Sequence, residues 1–229
     1  MKSIIAFLKS SIGKKVVMSL TGLFLCLFLL EHLAGNLLLF ANDGGKLYEE
    51  YSKFLVSNPV IRLIEIVLFA SLLGHAISGV VVWLKNRRSR PEKYEVYRLD
   101  ENTELASRMT MLSGSVIFFF LVVHLSSFFW PLRITGSEHG AYELVQQKFS
   151  NLWFSVFYVV ALVLIAYHLK HGFQSAFQTL GLRGKKYDGL LNFFAFIFWF
   201  LVPFGFATIP VYFYFFRRAV ETAVTTGLQ

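Results

Sequence analysis

The chain has 229 residues, of which 55% are hydrophobic, 17% aromatic and 16% charged, and its formal charge is +8. That apolar load exceeds what one soluble core hides, which excludes an ordinary soluble domain and points to a membrane protein. The positive charges flank apolar runs instead of lining one face, so they read as an orientation signal and an attraction to acidic lipid or a protein partner, with no nucleic acid as partner.

The chain opens on "MKSIIAFLKSSIGKK", which mimics a signal peptide. Its apolar stretch "IIAFL" is too short and no small-residue cleavage site follows, so residues 1–15 are expected to form an interfacial amphipathic segment. Five apolar segments come next, at 16–40, 60–84, 109–132, 152–178 and 190–216. Each is long enough to span, because about 20 residues at about 1.5 Å per residue cross the hydrocarbon layer. The expectation is an all-α membrane protein of five transmembrane helices in a single domain covering 1–229. With the N-terminus inside, 15 of the 22 basic residues fall on the inner side: Lys2, Lys9, Lys14 and Lys15, the seven from Lys85 to Arg108, and Lys170, Arg183, Lys185 and Lys186. The excess of inner Lys and Arg predicts an inner N-terminus and an outer C-terminus. The single cysteine, Cys26, lies mid-span and forms no internal disulfide.

The sequence also repeats. Residue n laid on n+92 places "LTGLFLCLFLLEHL" (20–33) on "LSGSVIFFFLVVHL" (112–125), matching Thr21-Gly22 with Ser113-Gly114 and His32 with His124. One inserted residue then brings His75 and Gly79 onto His168 and Gly172. Spans one and two therefore look like spans three and four in the same orientation, a parallel two-helix repeat with a fifth helix added.

Depth sorts the histidines into pairs. His32 and His124 stand about 16 residues from the inner end of their helices, or about 24 Å up, and His75 and His168 about ten residues, or about 15 Å. Each level then offers two imidazoles to the interior of a four-helix core, where bundles hold their cofactors. Two axial imidazoles per level suit a six-coordinate haem, whose large apolar ring fits lipid depth. Gly79 and Gly172, one turn from the inner histidines on the same face, leave room for a flat macrocycle. A zinc or copper site would instead need several ligands converging in one small sphere. Any one of these histidines alone reads equally as an interhelical hydrogen bond. His171 competes with His168, and the repeat register favours His168; His139 reads as a solvated loop residue.

With these residues assembled, the chain resembles the dihaem cytochrome b membrane anchor of succinate dehydrogenase and fumarate reductase (respiratory complex II), in its bacterial single-subunit, five-helix form. The resemblance runs through "SLTGLFLCLFLLEHL", "GHAISGVVVWL", "LSGSVIFFFLVVHL" and "HLKHGFQSAFQTLG". It implies two haem b groups, the inner held by His75 and His168 and the outer by His32 and His124. It further implies a bacterial cytoplasmic-membrane location, a flavoprotein subunit carrying the dicarboxylate site, an iron–sulfur subunit, and electron relay to or from menaquinone or another quinone. A haem-free helical carrier with proton-shuttling histidines, and a dihaem carrier of another respiratory complex, stand as alternatives.

Further roles follow from position. Thr21 and Ser113 lie three turns below their helix's histidine, where a hydroxyl meets inner-haem propionates or porphyrin edges, or simply serves close helix packing. Arg108 and Lys170, at inner helix positions, are expected as propionate partners, with snorkelling to the headgroups as the alternative. Glu31 and Glu65 are carboxylates at membrane depth toward the outer side and are the candidates for proton handling at the quinone, ahead of Glu49 and Glu50. Glu65 alternatively pairs with Arg62, three residues away.

Overall fold

A computed structural model describes residues 6–7, 10–88 and 110–217. Among the described residues the fold is helical with no strand, and five helices are long and apolar enough to cross a membrane. Helix α1 (Ser11–Leu37) continues into one tight turn at Leu38–Phe40. Short α2 (Lys46–Ser57) leads to α3 (Pro59–Arg88). Then come α4 (Thr110–Thr135), short α5 (Ala141–Phe149), α6 (Leu152–Thr179) and α7 (Asp188–Phe216). We call the end where α1 starts the lower end and the end carrying α2 and α5 the upper end.

Local chemistry sets these boundaries. Ser10 caps α1, its hydroxyl accepting from the Gly13 amide at 2.9 Å, so the first helix starts at Ser11, five residues before the apolar run does. Such a cap satisfies one of the free amides that every helix start leaves. Asn151 caps α6 in the same way through Phe154. Within α4, Pro131 lacks the amide an α-turn needs. The ladder there widens to five-residue spacing, with the Trp130 amide on the Leu125 carbonyl and the Gly136 amide on that of Pro131. Pro203 follows a similar wide turn at Ile197–Leu201 in α7.

The first four spans close into a ring in which α1 packs on α3 and α6, and α4 packs on α6 and α3. Helix α7 lies outside that ring, against α6 and α1. Its contact is aromatic and close: Phe198 stacks on Phe173 at 5.0 Å, and Gly205 approaches Leu33 so nearly that a Cβ there would stand 2.9 Å from it. Cys26 is a buried member of this lower cluster, packed with Leu169, Phe173, Ala195 and Phe198.

The two short helices close the upper end. In α5, Ala141, Leu144, Val145 and Phe149 fall on one buried stripe at helical spacing. Glu49 of α2 accepts the Tyr142 amide at 2.6 Å, placing a carboxylate at the start of α5, where free amides favour negative charge. Gly45, at φ +89°, is pressed against the Tyr142 ring, and no other residue fits that backbone and that contact together. Burial pushes the Tyr48 hydroxyl up to about 12, with Glu49 adding to the effect.

Candidate functional site

The ring of spans brings the four histidines together as two facing pairs. At the upper level His32 of α1 meets His124 of α4, ring centroids 5.8 Å apart with planes at 90°. At the lower level His75 of α3 meets His168 of α6, at 6.2 Å and 78°. A metal–imidazole bond of about 2 Å on each side, with each ring centre roughly 1 Å further back, separates two axial imidazoles by roughly 6 Å. Both pairs fit that spacing. Among the described residues no three His, Cys, Asp or Glu side chains converge, so the donor set is two imidazoles per level and nothing more.

The repeat governs what surrounds the lower pair. His75 Nδ1 lies 3.1 Å from the Met18 carbonyl and 3.4 Å from the Thr21 hydroxyl. That hydroxyl already donates to the Val17 and Met18 carbonyls. A carbonyl only accepts, so the proton sits on Nδ1 and the lone pair on Nε2. In the other half, His168 Nδ1 lies 3.5 Å from the Ser113 hydroxyl, which donates to the Thr110 carbonyl, and the ring also bonds the Thr110 backbone. Ser113 is fully buried. Thr21 and Ser113 thus touch the lower histidine rings themselves. The glycine after each hydroxyl makes room for that ring: a Cβ on Gly22 would stand 3.0 Å from His75, and one on Gly114 3.6 Å from His168. At Gly79 and Gly172, expected to leave room for a flat macrocycle, no atom other than the helix's own nearby backbone lies within 4 Å of a Cβ built on the glycine. The glycines that neighbour the imidazoles come from the facing helix, which periodicity along one helix does not reveal.

The upper pair has different surroundings. A phenylalanine one turn before each histidine stacks on it, Phe28 on His32 at 5.2 Å and Phe120 on His124 at 5.7 Å, again one per half. His32 Nδ1 lies 3.4 Å from the Asn36 amide, and His124 Nδ1 lies 3.3 Å from the Tyr158 hydroxyl. Phe206 of α7 closes on His32 at 5.5 Å. Asn36, Tyr158, Gly22 and Gly114 were missed as site residues. The doubled Thr/Ser-Gly pattern was the available signal for the glycines, and none marked Tyr158 among ten tyrosines.

The remaining candidates separate. Glu65 accepts from Arg133 of α4 and from Arg62 at 3.1 Å, and Arg133 also donates to the Val56 carbonyl at 2.8 Å. Arg133 is 8% exposed and Glu65 19%, so this ion pair staples α3 to α4 near the upper end. Glu31, adjacent to His32, accepts from the Tyr51 hydroxyl of α2, which burial and the carboxylate push above its ordinary value. The Lys170 ammonium sits 5.4 Å from the Trp199 ring centre, a cation–π contact with α7. Its expected role beside a propionate therefore competes with an aromatic partner already in place. Arg108 lies outside the described residues. His139 pairs with Glu143 at 2.9 Å, and both side chains are about half exposed or more.

Comparison with known proteins bears on the second half directly. A family model described as the succinate dehydrogenase/fumarate reductase transmembrane subunit matches residues 84–208, just over half of the 229. The match spans His124 and His168 and stops short of His32 and His75. No curated protein and no solved structure gives a significant match.

Proposed function

Because the chain belongs to the succinate dehydrogenase/fumarate reductase transmembrane subunit family, we propose that it is the dihaem, single-subunit form of that anchor and relays electrons between an iron–sulfur subunit and a membrane quinone. The observation that carries this reading is the pair of facing imidazoles at each of two levels, 5.8 Å and 6.2 Å apart. His32 and His124 would hold the upper haem b and His75 and His168 the lower. When bound, each haem supplies a one-electron couple whose potential depends on its axial ligands and their hydrogen bonds.

The chain's own residues do the rest. Thr21, Met18 and Ser113 hold the Nδ1 protons of the lower ligands, so Nε2 is presented in the ligating state. Phe28, Phe120 and Phe206 keep water from the upper pair. Gly79 and Gly172, with no protein neighbour at the Cβ position, suit close approach by a flat ring. Glu31 and Glu65 are the carboxylates proposed to exchange protons with a quinone near the upper level, with Glu31 the less engaged of the two because Arg62 and Arg133 hold Glu65. The lower end faces the cytoplasm of a bacterium by the distribution of Lys and Arg, and its Lys14, Lys15, Lys85, Arg87, Arg183, Lys185 and Lys186 meet the iron–sulfur subunit or acidic headgroups there. The dicarboxylate chemistry belongs to a flavoprotein partner, and menaquinone or another quinone is the membrane substrate.

The test is haem stoichiometry in the purified complex across His32→Ala, His75→Ala, His124→Ala and His168→Ala. Wild type should bind two haems and each variant one, with the same centre lost in both members of a pair. A colourless wild type expressed with ample haem precursor refutes the proposal.

A further inference from the structure

Each of the four rings has a polar neighbour at Nδ1, and the neighbour of His124 is anchored differently from the others. Thr21 is fixed by the Val17 and Met18 carbonyls, Ser113 by that of Thr110, and Asn36 by that of His32. The Tyr158 hydroxyl has only His124 as hydrogen-bond partner among the described residues. Tyr158 is 5% exposed, and its ring is boxed by Phe154, Phe120 and Phe149 at centroid distances of 4.6, 4.9 and 5.0 Å. None of these offers a donor or an acceptor. The ring nitrogen of His124 is therefore the polar atom that the enclosure leaves within reach of the oxygen.

The two halves of the repeat diverge at this point. The offset that lays His75 on His168 lays Glu65 on Tyr158, and Glu65 is engaged by Arg62 and Arg133. One half therefore brings an ion pair where the other brings a neutral hydroxyl in an aromatic enclosure. The upper imidazoles are unequal for that reason, with an amide beside His32 and a phenol beside His124.

We infer that Tyr158 is a positioning residue for the upper centre: its hydroxyl accepts the Nδ1–H of His124, fixes the tautomer that leaves the lone pair on Nε2, and strengthens electron donation by that one ligand. The inference rests on the haem reading above. A hydrogen bond at the distal ring nitrogen raises ligand basicity and favours the oxidised metal. Its removal should shift the upper centre toward the reduced state and leave the lower centre alone.

The test uses Tyr158→Phe in the complete complex, which deletes one oxygen and keeps the ring. Redox titration followed by absorbance, with low-spin EPR of the oxidised sample, reads the two centres separately, and the signal missing in His124→Ala identifies the upper one. The expected result is two haems, an upper midpoint raised by up to about 59 mV, which is a tenfold fall in the oxidised-to-reduced ratio at fixed potential for one electron, and an unchanged lower midpoint. Selective loss of the upper haem is a stronger form of the same result. An unshifted upper centre, an equal shift of both centres, or loss of both haems overturns the inference. Phe157→Leu is the packing control, since Phe157 lies 6.0 Å from the Tyr158 ring and carries no hydroxyl; the same shift in that variant also overturns it. If the histidine variants retain both haems the ligand assignment itself fails, whereas a silent Tyr158→Phe with normal histidine results sinks only the role of the tyrosine.

Discussion

The same substitution at two repeat-related glycines should have unequal effects. An alanine Cβ at position 22 would lie 3.0 Å from His75 Cε1 and 3.4 Å from Nδ1, while at position 114 the corresponding distances to His168 are 3.6 and 3.9 Å. Carbon atoms rest comfortably at about 3.5–4.0 Å, so Gly114→Ala makes an ordinary contact and Gly22→Ala is short by about half an ångström. The His75 ring has to retreat by that amount. Its 3.1 Å hydrogen bond to the Met18 carbonyl would then stretch to the limit of what counts as a bond. Overpacking of this kind costs about 1–3 kcal/mol, partly offset by the gain of about 1 kcal/mol from replacing glycine with alanine inside a helix. Gly114→Ala keeps only the gain. We expect Gly114→Ala to melt at or slightly above wild type and Gly22→Ala a few degrees below it, with the spectrum of the lower centre altered in Gly22→Ala alone. Thermal denaturation of the detergent-purified complex, followed by circular dichroism and haem absorbance, measures both. Equal melting points, or a larger loss in Gly114→Ala, would refute the packing argument.

Two further outcomes follow from the ion pair and the upper cap. Arg133→Ala strands Glu65 with only the half-exposed Arg62 and should destabilise the fold by about 3 kcal/mol, the lower range for breaking a mostly buried pair; Glu65→Gln, which leaves the Arg133 bond to the Val56 carbonyl, should cost less. Comparative melting of the two variants checks the order. Asp43 accepts the Leu47 and Gly45 amides at 2.8 and 2.9 Å, and these bonds hold its carboxyl below the ordinary value of 3.8. A depressed carboxyl stabilises the folded state at pH above its unfolded value and ceases to do so as pH falls through the lower folded value. Hydrogen exchange at the start of α2 should therefore be slow and flat near neutral pH, referenced to intrinsic rates, and lose protection only under acid conditions, with Asp43→Ala unprotected throughout.

The spans were legible because about 20 apolar residues in a row admit few other structures, and the parallel repeat was legible because two halves kept Thr/Ser-Gly and histidine in register. The pairing of levels followed from helix rise alone. The upper cap was not legible. Lys46–Ser57 and Ala141–Phe149 are short and mixed in polarity, and what joins them is a carboxylate meeting an amide 93 positions away. Gly22 and Gly114 were not legible as neighbours of the rings, because each reaches its imidazole from the facing helix and periodicity along one helix does not show that. Charge suggested a propionate partner in Lys170, but an aromatic face on α7 is what its ammonium reaches. The helix boundaries moved by several residues where a serine cap or a left-handed glycine, and not hydropathy, sets the end.

Each level takes one ring from the first hairpin of spans and one from the second: His32 with His124, His75 with His168. Neither hairpin alone therefore owns a complete pair. If the repeat arose by gene duplication, the ancestral half-length protein had to associate with a copy of itself to build either level, and fusion merely joined two subunits whose shared seam already held both. Divergence was then free to act on one side of that seam at a time, as the phenol and the carboxylate at matched positions record.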